Sequence, residues 1–274
     1  MLQHLVMKYL SFLLCLFIFS SCLSDEEKRV QTDQTFEGEE LFSLTFSLDE
    51  HVSYALHSFD YYRDTANYSN IAGCPVISVD DLAKEVVLAF GGGECATNRA
   101  LRSGKLRLTY VDSLGLSKKV RIGYDDYWVM GVKVDGLRML EQTDSTATTR
   151  TLQDSVSGFM ITDANRSTSK MEGVFTHEVV VSNDSIKHFE TQGAGFGRNL
   201  AGRHFEMEVI EPKRFSSNCL LDGFQVAESG QERWIFERTV EANVVHTVNF
   251  QRMEDCDHTA QIHLHDGDEI LKKQ

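Results

Sequence analysis

Apolar and polar positions divide this chain into a short helical stretch and a long run of alternation. From Leu48 onward, Leu48, Val52, Ala55, Leu56, Phe59 and Tyr62 fall at helical spacing, with Ser47 or Asp49 available as an N-cap. The spacing predicts one amphipathic helix over about residues 48 to 64. Asn67-Tyr68-Ser69-Asn70 and Gly73 then break the pattern. Strands are predicted downstream at 76–79, 85–90, 105–110, 118–124, 127–134, 156–162, 170–181, 186–191, 204–210, 220–226, 233–237, 244–250 and 260–265. Gly91-Gly92-Gly93, Arg102-Ser103-Gly104, Asp112 to Gly115, Asp135-Gly136 and Gly193 to Asn199 supply turn chemistry between them. Residues 141 to 151, EQTDSTATTRT, are polar and read as a loop or an exposed edge hairpin. Spacing this short leaves no room for crossover helices. The expected architecture is mainly β, with antiparallel hairpins forming a curved sheet or sandwich of a dozen or more strands and one N-terminal helix. Residues 36–69 form the helical segment and 70–274 the β domain, with repeat-like halves at about 70–140 and 152–270.

The halves come from an internal echo. Residues 86 to 110 run strand, glycine turn, Cys95, alternating strand; residues 248 to 264 repeat that order around Cys256. Each half also has an upstream cysteine, Cys74 or Cys219. Four cysteines allow three disulfide connectivities, and the repeat selects Cys74 with Cys95 and Cys219 with Cys256. Zinc ligation is excluded by spacing, because no two of these cysteines are separated by two to four residues.

The first residues change the picture from a β protein to an exported one. Lys8 precedes an apolar run from Tyr9 to Phe19 and small residues ahead of Cys22, a secretory signal too short to span a membrane. Phe19-Ser20-Ser21-Cys22 resembles the lipobox of bacterial lipoproteins, with Phe where Leu is usual, which implies cleavage after residue 21 and acylation of Cys22. Residues 22–35 read as a flexible acidic tether. Its acidic start resembles the signal that places some lipoproteins on the outer face of the outer membrane; a plain linker on a periplasm-facing protein is the alternative. A net charge of −14 with no clustered basic run excludes nucleic acid as a partner.

Candidate chemistry is sparse. Gly91-Gly92-Gly93 precedes a hairpin rather than a phosphate-binding helix, and Gly104-Lys105 has Arg99 and Leu106 where a P-loop needs Gly and Ser or Thr. His177-Glu178 lacks the second histidine of a metalloprotease motif. His263 and His265 share one strand face ahead of Asp266 and Asp268, as a metal pair or as the wet side of a half-buried strand. Asp125, Asp126, Glu206 and Glu208 are candidates for acid–base pairing, and Tyr127, Trp128 and Trp234 for a ligand groove; ordinary strand faces and core account for both sets. The expectation is no catalytic residue, no cofactor and no metal. The protein then serves as a lipid-anchored envelope protein binding a ligand or partner or filling a structural role, with a hydrolase of envelope glycan or lipid as the alternative. An apolar concave cavity would favour lipid handling, and two carboxylates facing each other in a cleft would favour the enzyme.

Taken in order, Cys74-Pro75, Phe90-Gly91-Gly92-Gly93-Glu94-Cys95, Gly104 to Tyr110, Tyr124 to Val129, Val134-Asp135-Gly136, Gly193-Ala194-Gly195, Arg198-Asn199, Gly202-Arg203 and Ile210-Glu211-Pro212 before Cys219 are similar to a family of uncharacterised Gram-negative envelope lipoproteins. The resemblance covers roughly residues 70 to 268. It departs before the last cysteine, where Gln251 to Asp255 stand in place of a glycine-rich turn. It implies compartment and fold and carries no activity.

Overall fold

The computed structural model describes residues 34–273 apart from 92–94, 96, 98–99, 113–117, 183–184, 224 and 240–241. The signal segment, Cys22 and most of the predicted tether lie outside the described residues. So does the centre of the glycine turn at Gly92-Gly93.

Helix α1 runs from Gln34 to Ala55, and sixteen of its 22 residues are buried. The predicted helix over 48–64 therefore matches only its last two turns plus a separate short helix, α2 (Phe59–Arg63). The upstream half gave no amphipathic signal because charged and apolar residues are buried together, Glu37, Glu40 and Thr45 with Leu41, Phe42, Leu44 and Phe46, while the apolar Phe36 is exposed. Ser58 stops continuation by capping α2, its hydroxyl accepting from the Tyr61 amide at 3.2 Å. Asp64 then caps a 3-10 turn over Thr65–Asn70.

Around α1 winds one antiparallel sheet of thirteen strands in strict sequence order. The strands are β1 (Val76–Asp80), β2 (Glu85–Gly91), β3 (Ser103–Asp112), β4 (Lys118–Val129), β5 (Val132–Ser145), β6 (Thr149–Thr162) and β7 (Thr168–Ser182). After them come β8 (Ser185–Arg198), β9 (His204–Ser216), β10 (Ser229–Thr239), β11 (Ala242–Arg252), β12 (His258–His263) and β13 (Glu269–Lys273). No pairing joins β1 to β13 among the described residues, so the sheet wraps without closing. Partners of α1 nevertheless come from nearly every side: Tyr54 packs on Phe90 of β2, Glu40 meets Ser169 of β7, and Lys272 of β13 reaches Glu39. At about 1.5 Å per residue the helix is roughly 33 Å long. Strands β5 to β8, of 14 or 15 residues, are long enough to run its full length at a tilt.

Wrapping a sheet this tightly needs kinks, and the sequence supplies them inside strands. Two stretches read as turns, Asp135-Gly136 and Gly193 to Arg198, lie within β5 and β8 at register shifts. Gly193 has φ +144, and a Cβ there would sit 2.4 Å from the Val174 carbonyl. Glycine is required by the bulge rather than by a chain reversal. The break expected between Tyr124 and Tyr127 is also a bulge. It sits within the continuous strand β4, with Asp126 at φ +48, and moves the inward phase from Val120 and Ile122 to Tyr127 and Val129. Residues 141–151 are not an edge but the β5–β6 hairpin in the middle of the sheet. The strand predicted at 220–226 is instead a short helix, α3 (Ser217–Leu221), and the following loop.

Both disulfides pair as the repeat requires, Cys74 with Cys95 and Cys219 with Cys256. Cys95 follows β2 and Cys256 follows β11, so each staples a hairpin connection to a segment outside it. The two stapled regions touch. Gly223, at φ +88, packs so closely on Thr97 that an added Cβ would lie 2.3 Å from its carbonyl oxygen. Thr97 in turn holds the Gly73 amide at 3.1 Å.

Candidate functional site

Helix α1 brings carboxylates into the interior, and the sheet brings the cations. Glu37, Glu40, Asp49 and Glu50 are all buried on the helix; Arg102, Arg138 and Lys213 are buried on the sheet side. Isolated buried charge is costly, so the pairing decides whether the fold is tenable.

The pairing forms three groups along the helix. Near its N-terminus Glu37 accepts from Arg203 at 2.9 Å and from Arg238, with His246 at 3.3 Å. One turn on, Glu40 accepts from Ser169 and from the Leu200 amide at 2.6 Å, and among the described residues no cation pairs with it. Burial pushes this carboxyl up to about 7. Toward the C-terminus, Lys213 donates to both oxygens of Asp49 at 2.7 Å and lies 2.6 Å from Glu232, which also accepts from Thr45 and Trp234. Burial opposes the Lys213 charge, but Asp49 and Glu232 raise its pKa above the ordinary lysine value. The next residue, Glu50, receives Arg102 at 2.5 Å and the Tyr127 hydroxyl at 2.9 Å, and lies 2.9 Å from His51. Burial alone would raise Glu50; Arg102 and His51 overcome it and hold the carboxyl at about 2.

One part of this network has the order of a hydrolytic triad. Thr191 Oγ1 lies 2.9 Å from His177 Nδ1, and His177 Nε2 lies 3.3 Å from Asp154. Its surroundings make it structural: all three residues are at most 2% exposed, and Asp154 also receives Arg138, which holds the Leu48 carbonyl. A substrate has no path to Thr191 here. Burial keeps His177 below its ordinary pKa.

Open chemistry is found where the C-terminus of α1 reaches the mouth of the wrapped sheet. Two clefts adjoin there and share Leu56 and His57. The first, about 210 Å³, is lined by Tyr54, Leu56, Tyr61, Ile71, Ile186, Phe189 and Leu220, with Asn67, Asn70 and serine hydroxyls at its rim. Strand β8 turns Ile186 and Phe189 inward, and α3 supplies Leu220. The second, about 200 Å³, lies over Val120 and Leu152 and carries Lys84, Lys118, Lys119 and Arg150. His57 stands between them, its ring stacked on Tyr61 at 4.0 Å and its carbonyl accepting from Tyr110. Burial, then Arg150, pushes the imidazole down to about 4, so it is neutral at pH 7.

The residues singled out from the sequence fall elsewhere. His263 faces Glu269 at 3.0 Å, His265 accepts the Val245 amide, and among the described residues no three His, Cys, Asp or Glu side chains gather as a metal site. Asp125 and Asp126 lie outside against Lys105 and Lys133; Glu206 and Glu208 line an outer cleft of about 520 Å³, with Glu208 against Arg233. Tyr127 and Trp234 are core, and Trp128 is a half-buried outer residue beside Asp126. Neither mouth cleft contains any of them. Lys84, Lys118 and Arg150 gave no run or motif; each stands at or beside the end of a strand, and only the fold assembles them. No protein-family model, curated protein or solved structure matches the chain.

Proposed function

We propose that this is a cell-envelope protein, anchored to the outer membrane through an acylated Cys22, whose wrapped β domain binds a small apolar or amphiphilic ligand at the mouth beside His57. The apolar cleft between α1, β8 and α3 carries the reading: it is concave and mostly hydrocarbon-lined, with a few polar groups at its rim, as small-molecule sites are. The hydrolase alternative draws less support. The carboxylates of the interior are committed to hydrogen bonds within the protein, and the His177 arrangement is sealed. The envelope lipoprotein resemblance agrees in compartment.

The test is binding. Purified protein titrated with an environment-sensitive fatty-acid fluorophore should saturate at one site per chain, and Ile186→Trp or Leu220→Trp, which fill the cleft, should abolish the signal while leaving the melting temperature within a few degrees. Failure of every apolar probe to bind would refute the reading. Anchoring is tested separately: Cys22→Ser should move the protein from the membrane to the soluble fraction.

A further inference from the structure

The second cleft is anomalous in its charge. The protein carries a net charge of −14, and Arg102, Arg138, Lys213, Arg203 and Arg238 around α1 all meet a carboxylate. In the mouth cleft Lys84, Lys118 and Arg150 meet none among the described residues. Lys84 lies over the Phe59 ring at 4.7 Å instead, and the Arg150 Nε is buried with no hydrogen-bond partner. Lys119 is taken by Glu141 at 3.0 Å. The cleft's one carboxylate, Asp60, is turned to Arg63 at 3.4 Å.

Exposed lysines alone would be a solvated rim. Arg150 is different, because its side chain is half-buried and its Nε is shut off from water without having gained an acceptor. Desolvation also depresses its pKa below the ordinary arginine value. An oxyanion is the ligand chemistry that satisfies a planar fork of donors flanked by two ammonium groups. The neighbouring apolar cleft begins on the other side of His57, so a head group on Arg150 leaves its chain room beyond that ring.

We infer that the basic cleft holds the oxyanion head, carboxylate or phosphate, of an amphiphile whose hydrocarbon part occupies the apolar cleft across His57. This rests on the binding reading above.

Calorimetric titration with octyl phosphate, 1-octanol and inorganic phosphate separates the parts. Octyl phosphate should bind at least about tenfold more tightly than either of the others, and its affinity should weaken as salt is raised. Arg150→Met with Lys118→Met should remove that advantage while leaving 1-octanol binding unchanged. Lys118→Met alone, at an exposed position that cannot perturb the core, should remove part of it. Equal binding of octyl phosphate and 1-octanol, unaffected by the variants, would overturn the oxyanion site and leave the apolar cleft standing. Binding of inorganic phosphate as tight as that of octyl phosphate, lost in the double variant, would show a free-anion site and overturn the shared one. No binding of either octyl compound would refute the apolar reading itself, and the inference with it.

Discussion

Replacing Lys213 by Met tests whether the interior charge network is a condition of the fold. The side chain is 1% exposed and its ammonium bridges Asp49 and Glu232, themselves 6% and 0% exposed. Met keeps the volume and most of the hydrocarbon contact, so the substitution isolates the charge. Glu232 keeps its bonds from Thr45 and Trp234, but Asp49 loses both of its donors from Lys213. Removing one member of a buried pair costs about 3–5 kcal/mol because the remaining charge is uncompensated. For a domain of this size that is roughly 6–20 °C in melting temperature. The sign with pH follows from the carboxylates. Burial already raises Asp49 to about 6 against the attraction of Lys213, and without Lys213 that carboxyl rises further, so the deficit is small in acid, where Asp49 is protonated in both folded proteins, and grows as pH rises above 6. Urea unfolding of wild type and variant at pH 5 and pH 8 reads this directly. The deficit should be larger at pH 8, and Lys213→Met combined with Asp49→Asn and Glu232→Gln should recover most of it. A loss under about 1 kcal/mol that is the same at both pH values would refute the reasoning.

Three further outcomes are expected. Glu40, raised from 4.5 to about 7 by burial, contributes about 3 kcal/mol that is fully present below pH 4.5 and lost as pH rises through 7, so the stability difference between wild type and Glu40→Gln should shift against wild type across that window; a pH-independent difference would exclude it. Replacing Cys219 and Cys256 together by Ser, across a separation of 37 residues, should cost about 4 kcal/mol on the chain-entropy model, and the pair Cys74 and Cys95, separated by 21, slightly less; non-reduced peptide mapping and thermal melts check pairing and cost. Gly223→Ala should lower stability by about 2 kcal/mol or more, since the new methyl group meets the Thr97 carbonyl at a positive φ; a neutral melt would mean that the two stapled connections do not touch in solution.

The parts of the fold written in local alternation could be read from the sequence. Val86, Leu88 and Phe90, or Phe205, Met207 and Val209, place one face inward whatever the sheet does globally, and the repeated order of strand and cysteine carried the disulfide pairing. Three things escaped. A helix that buries charged and apolar residues together shows little period, so nothing in the pattern singled out Glu37 and Glu40, which are buried partners of Arg203 and Leu200. Bulges and chain reversals use the same residues, so Gly136 and Gly193 read as turns. The mouth clefts bring together Lys84, Lys118 and Arg150 with Ile186 and Leu220 from segments far apart in the chain, and only the curvature of the sheet makes them neighbours.

That last juxtaposition also says where function should be sought. A polar interior of this kind makes specific demands: six carboxylates, Glu37, Glu40, Asp49, Glu50, Asp154 and Glu232, must find donors in one arrangement of helix and sheet, and a slipped register would strand several at once. Such a network favours one packing of α1, and each of its cations, Arg102, Arg138, Lys213, Arg203 and Arg238, already meets a carboxylate. Stability and binding are thereby separated along the helix axis. The enclosed length of α1 is occupied by the protein's own ions, and beyond Ala55, where the helix ends and its carboxylates stop, the sheet still presents cations. Arg150 is one inward position beyond Leu152 on β6 and two beyond Asp154, whose carboxylate is matched by Arg138; the same strand that completes an internal pair at one position leaves a donor open two inward positions later. A chain with a large excess of acid could have supplied a carboxylate there at little cost. That it does not is why we place an external anion at the mouth and not in the buried network.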